Sequence, residues 1–171
     1  MNKSVIKYTL LLGLVLGLLC LGWGIVHQIT SKKALTERTA QLPAFRFEGL
    51  DGQVVTSQEF QNKPVWLLYF DSDCEYCQMQ LRDLSQNKTS ISGIEVLLIS
   101  SENTNALLKC RQQYGFEQHP NLTIVRDSTH QCQLLLGMTS TPNSLLYGSS
   151  GKLLKKYNGV VKTATIINNV Q

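Results

Sequence analysis

From Tyr8 to Thr30 the chain contains no aspartate, glutamate, lysine or arginine. Leucine, valine, glycine and isoleucine fill most of Thr9 to Val26, and an uncharged run of about 20 residues is long enough to span a hydrocarbon core. Lys3 and Lys7 in front of it would also suit a secretory leader. The run exceeds an ordinary leader core, however, and no A-x-A-like cleavage site follows, so a retained signal anchor over residues 1–30 is expected. Leu19 stands before Cys20 where a lipoprotein would need a small residue, which leaves Cys20 embedded and without chemistry. Lys32, Lys33 and Arg38 outweigh Lys3 and Lys7 on a positive-inside count, which does not decide orientation. The usual arrangement of an N-terminal anchor is adopted: a single pass through the inner (cytoplasmic) membrane, with the soluble domain extracytoplasmic, or periplasmic.

Beyond residue 42 it is net charge that is missing. Residues 43–171 hold eleven basic and eleven acidic side chains, so the excess of +4 belongs to the N-terminal segment. No net positive field remains to attract phosphates, which argues against nucleic acid as a partner. Histidine is scarce, with three in all, and there is no second C-x-x-C. A four-ligand zinc site therefore lacks half its donors, and neither metal nor cofactor is expected. Internal repeats and low-complexity tracts are absent too.

What is present is organised around Val65–Cys77. Val-Trp-Leu-Leu-Tyr-Phe reads as a buried central strand, Asp71-Ser72-Asp73 as a short polar step, and Cys74-Glu75-Tyr76-Cys77 as a dithiol opening a helix. Cys77, Leu81 and Leu84 fall on one helical face. Cys74 then meets unpaired N–H groups and the positive end of the helix dipole, which favour a thiolate. This placement makes Cys74 the expected nucleophile and Cys77, one turn on, the expected resolving thiol.

Residues 31–42 serve as a linker, either continuing the anchor helix or forming a tether, and residues 43–171 form the domain. Ala44–Glu48 and Val54–Thr56 flank a turn as a β-hairpin. Ile94–Ile99 and Leu122–Val125 are further strands. Asn103 or Thr104 is expected to cap a helix ending at Gly115, with Leu107, Cys110 and Tyr114 as its apolar stripe. Ser128 is expected to cap a shorter one with Cys132, Leu135 and Leu136 on one face. A second hairpin follows Pro142, and a last helix near Lys162–Val170 is expected to turn Ala164 and Ile167 inward. Alternating strands and helices predict an α/β domain with a central mixed sheet flanked by helices.

Pro43-Ala44-Phe45, Asp51-Gly52, Lys63-Pro64-Val65, Tyr69-Phe70, the Cys74/Cys77 pair and Thr141-Pro142, in that order, resemble the membrane-anchored thioredoxin-like proteins of bacteria of the TlpA and ResA type. The resemblance covers residues 43–171. It implies a thioredoxin-like fold with the N-terminal hairpin as an extension, and a thiol–disulfide oxidoreductase. Such an enzyme would reduce disulfides of extracytoplasmic client proteins and be recharged by a membrane electron donor. It also implies a cis peptide before Pro142, with Thr141 and Pro142 as the substrate-binding pair. Two departures stand out. Gln80 and Leu68 occupy positions where relatives carry an acid able to shuttle protons, which leaves Glu75, beside Tyr76 inside the motif, or water to do so. Asp71, Asp73 and Glu75 place negative charge near Cys74, against its thiolate.

Three further readings stay open for Cys110 and Cys132: buried thiols, a second disulfide, or a relay feeding the dithiol. Two alternatives remain for the function. A thiol peroxidase would want a threonine where Asp71 stands, and a metal or heme-pathway chaperone of this fold would usually space its cysteines by three residues and add a histidine.

Overall fold

The computed structural model describes residues 3–117 and 119–170, with the side chains of residues 3–11, 14, 15, 25–29, 31 and 32 outside that description. The chain falls into two compact units that divide between Glu37 and Arg38. The first lies within one long helix, α1 (Lys3–Thr39), so residues 31–39 continue the helix rather than form a loose tether. Leu12, Leu16, Leu18, Leu19, Leu21 and Trp23 on it are exposed. Among the described residues no helix is long and apolar enough to cross a membrane. Much of the expected span from Tyr8 to Thr30 lies outside the described side chains.

The second unit is built on a seven-stranded mixed sheet. Its strands are β1 (Arg46–Gly49), β2 (Val54–Thr56), β3 (Val65–Tyr69), β4 (Glu95–Ser100), β5 (Leu122–Arg126), β6 (Asn143–Tyr147) and β7 (Leu153–Asn158), in the spatial order β2-β1-β5-β4-β3-β6-β7. β3, β4 and β5 run parallel, whereas β1 and β6 join them antiparallel. Both expected hairpins are present as the pairs β1/β2 and β6/β7 at the two ends of the sheet.

Because side chains alternate across a strand, β3 supplies two cores at once. Trp66, Leu68 and Phe70 pack on one face with Cys77, Leu81 and Leu84 of α2 (Glu75–Gln86) and with Leu107 and Cys110 of α3 (Thr104–Tyr114). Val65 and Leu67 pack on the other with Phe45, Phe47, Phe60, Cys132, Leu136 and Tyr147. Val65 to Leu68 are each 0% exposed, and burial of one such side chain contributes about 1.5–3 kcal/mol. This buried strand leads directly into the dithiol.

Helix ends follow from local chemistry. Asn103 caps α3, its Oδ1 accepting from Ala106 N at 3.0 Å, and Gly115 ends it at φ 65, where a left-handed residue is required. The short α4 (Gln131–Leu134) departs from expectation. His130 is its N-cap residue but makes no side-chain cap bond; Asp127, not Ser128, satisfies the first amides, one carboxylate oxygen accepting from Gln131 N and the other from Cys132 N, both at 2.8 Å. A carboxylate satisfies two orphan amides where a serine hydroxyl satisfies one. The last helix, α5 (Thr163–Asn168), buries Thr163 and Ile166, whereas Ala164 is exposed and Ile167 only partly covered. Its register is set by Asp83 Oδ2, which accepts from both N and Oγ1 of Thr163 at 2.7 Å.

Cys110 and Cys132 are free thiols belonging to opposite faces of the sheet. The second disulfide left open by the sequence is therefore not formed. Both helices flank β5, but on different sides.

A candidate dithiol active site

After β3 the chain leaves the sheet at Phe70, whose N–H donates to Ile99 O at 2.9 Å, and turns through Asp71-Ser72-Asp73. Asp71 closes the turn with its own groups: Oδ1 accepts from Asp73 N at 2.9 Å and its carbonyl from Cys74 N at 3.3 Å. Cys74 has an extended backbone (φ −79, ψ 121) and is the N-cap of α2, as its spacing requires. Cys77 lies one turn in and is fully buried, whereas Cys74 is partly exposed.

The two thiols are held in different electrostatic states. Burial works to raise the Cys74 pKa, but hydrogen bonds from the backbone N–H and thiol of Cys77, the N–H of Tyr76 and the side chain of Thr141 outweigh it. The net shift is downward from the ordinary 9.0. Asp71, Asp73 and Glu75 were expected to oppose this thiolate, yet all three are exposed, where solvent screens them. Burial pushes the Cys77 thiol up to about 12, with the nearby Cys74 adding to the rise. The N–H of Asp71, 3.5 Å from the Cys77 sulfur, opposes it. The two sulfurs are thus shifted in opposite directions, Cys74 toward the thiolate and Cys77 toward the thiol.

Thr141 arrives from the far end of the domain. Its carbonyl oxygen is 3.9 Å from the Cys74 sulfur, its peptide bond to Pro142 is cis, and Pro142 is buried at the start of β6. The motif and the Thr141-Pro142 pair, 67 residues apart, thus form one site. Glu75 and Tyr76 sit at the mouth, both exposed, with Tyr76 at 64%. Among the described residues neither sulfur shares a hydrogen bond with a carboxylate.

Two supporting residues carried no sequence signal for the bonds they make. Gln80 is fully buried on α2 and bonds both ways to Val161, its Nε2 donating to the carbonyl at 2.8 Å and its Oε1 accepting from the N–H at 2.7 Å. That role needs a donor and an acceptor on one side chain, which an amide has and a carboxylate lacks. Glu102, after β4, accepts from Ser72 N at 2.8 Å and from Ser72 Oγ at 2.5 Å. Between α2 and α3 beside this contact lies a polar cleft of about 420 Å³, lined in part by Gln78, Glu102 and Lys109. Among the described residues no cluster of histidine, cysteine and acid side chains suits a metal ion.

The family model described as the AhpC/TSA family matches residues 39–169. The chain belongs to the AhpC/TSA family. It is 20% identical over 162 residues to the thiol-disulfide oxidoreductase ResA of Bacillus cereus, covering 93% of this chain and 91% of that protein. Among solved structures, this AhpC/TSA-family chain superposes on a secreted Mycobacterium tuberculosis disulfide oxidoreductase homologous to E. coli DsbE. The TM-score is 0.65 at 18% identity, over 78% of this chain and 96% of that one. StoA from Bacillus subtilis gives 0.63 at 14% identity, over 77% and 99%. These structural likenesses fix the thioredoxin-like fold. The relatives named as thiol–disulfide oxidoreductases are enzymes.

Proposed function

We propose that this protein is a thiol–disulfide oxidoreductase that reduces disulfides of extracytoplasmic client proteins, with Cys74 as nucleophile and Cys77 as resolving thiol. The observation that carries the reading is the asymmetry of the pair: a partly exposed thiol of lowered pKa beside the Thr141 carbonyl, and a buried partner held near 12. The Cys74 thiolate attacks one sulfur of a client disulfide. That S–S bond breaks, a mixed disulfide forms at Cys74, and the leaving client thiolate takes a proton from water. Cys77 then loses its proton and attacks the Cys74 sulfur. The Cys74–Cys77 disulfide forms as the second client thiol departs, so the client gains the two electrons that the dithiol loses. Thr141 and Pro142 line the face on which the client chain rests.

The raised Cys77 pKa suits this order, because a protonated resolving thiol does not compete for the client. Among the described residues neither sulfur shares a hydrogen bond with a carboxylate, so water takes the Cys77 proton. Recharging requires a membrane electron donor. The uncharged stretch from Tyr8 to Thr30 and the exposed leucines of α1 support a tether in the cytoplasmic membrane, with residues 43–171 outside it.

A redox titration of the full chain in detergent against thiol buffers tests the direction of transfer. A midpoint near roughly −270 mV supports a reductase, and one near about −120 mV makes the protein an oxidant. Replacing Cys77 by Ser tests the roles: adducts with disulfide-bearing proteins should accumulate at Cys74, and their absence overturns the assignment.

A further inference from the structure

The Asp71-Ser72-Asp73 step is short and polar, and the bonds that close the turn, both accepted by Asp71, leave Ser72 out. Ser72 is nevertheless fixed at three points. Its N–H and hydroxyl both donate to the Glu102 carboxylate, and its carbonyl accepts from Gln78 Nε2 at 2.9 Å. The carboxylate is itself oriented, since Ser100 Oγ at the end of β4 donates to Oε2 at 3.0 Å and accepts from Glu102 N at 3.2 Å. A serine whose two donors meet the two oxygens of one carboxylate cannot rotate independently. What this fixes is the Asp71–Ser72 peptide, and through the Asp71 Cα next to it the direction of the Phe70–Asp71 peptide, whose N–H points at the Cys77 sulfur from 3.5 Å.

We propose that Glu102 is a positioning residue for the dithiol, gripping Ser72 so that the Asp71 N–H stays aimed at the Cys77 sulfur. The inference rests on the reading of Cys77 as the resolving thiol. That N–H stabilises negative charge on the sulfur as the thiol ionises to attack the mixed disulfide. Cys74 draws its own stabilisation from the N–H groups of Tyr76 and Cys77 inside α2, from the Cys77 thiol and from Thr141, none of which is hydrogen-bonded to Ser72. Loosening the grip therefore slows resolution and leaves the first attack alone.

The test uses the full chain, reduced, in detergent, with a symmetric peptide disulfide whose halves fluoresce on release. Attack by Cys74 frees the first half and resolution by Cys77 the second. In Glu102→Ala the second phase should slow about fivefold, the factor carried by one modest hydrogen bond. The first phase and the pH profile of Cys74 alkylation should stay within about twofold, the size of ordinary scatter around one weak contact. Ser72→Ala keeps the backbone N–H contact to Glu102 and loses only the hydroxyl's, so its second phase should slow less than that of Glu102→Ala. Should Glu102→Ala fail to fold, Ser72→Ala decides alone, and a second phase as fast as wild type overturns the proposal. It is equally overturned if both phases slow together or the Cys74 profile shifts, since that marks general loosening. A wild-type chain that shows no second release overturns instead the reading of Cys77, a distinguishable failure.

Discussion

The carbonyl oxygen of Thr141 and the sulfur of Cys74 lie 3.9 Å apart, although 67 residues separate them in the chain. The contact exists because β6 runs antiparallel to β3 and pairs Tyr69 with Asn143, which sets the residues entering β6 beside those leaving β3. On the proposed function, a client disulfide approaching Cys74 would meet the Thr141 backbone at the same moment.

The thiol asymmetry predicts how reactivity and stability vary with pH. In a Cys20→Ser background, Cys74 should be alkylated at pH values below its ordinary 9.0, while Cys77 stays unreactive until near 12. For stability the two have opposite signs. Cys77 is raised in the folded state to about 12 and Cys110 to about 11, so what they contribute is whole below about 9 and is lost as pH rises through those values. Cys74 is lowered, so its contribution is present above 9 and fades as pH falls through its folded value. Melting temperatures of the reduced protein from pH 8 to 11 should fall, and less steeply in Cys77→Ala; equal slopes would refute the Cys77 part.

Gln80→Leu should preserve the apolar packing of α2 while leaving the N–H and carbonyl of Val161 unpaired. Two stranded backbone groups cost about 2–4 kcal/mol together. Thermal unfolding measures the loss, and a change under about 0.5 kcal/mol would mean that water replaces the amide.

Asp127 is 1% exposed and caps α4 with both oxygens. Asp127→Asn keeps one acceptor and should lose about 1 kcal/mol, whereas Asp127→Ala loses both caps and about twice that. Ser128→Ala should be nearly silent. The comparison of the three melting curves checks which residue caps the helix.

The proposed tether predicts partitioning. The full chain should stay with membranes through alkaline carbonate extraction, and a variant in which three leucines of Leu12 to Leu21 become lysine should not. A fully extractable wild-type chain would show that the uncharged stretch does not anchor it.

Much of the molecule was legible in the chain because it depends on local chemistry. The apolar run at Val65–Tyr69 must be buried, whatever packs against it. The spacing of Cys77, Leu81 and Leu84 must form one helical face, and that places Cys74 at the helix's first N–H groups. Asn103 and Gly115 mark their helix ends through side-chain and backbone preferences that act within a few residues. The family's Thr141-Pro142 pair was recognisable as a motif, but its distance from the sulfur was not.

What only the tertiary structure decided are the contacts between groups far apart in sequence. Gln80 meets Val161 across 81 residues and Glu102 meets Ser72 across 30. No local periodicity marks either pair, because a single amide or carboxylate on a helix face or loop looks like any solvated polar residue. Asp127 displaced Ser128 as a cap for a related reason: the backbone after β5 delivers both of its oxygens to the two free amides of α4. The separation of Cys110 from Cys132 likewise rests on the sheet. Their helices follow strands of one parallel set, yet the chain crosses to the opposite face between them, and a sheet two side chains thick stands between the thiols.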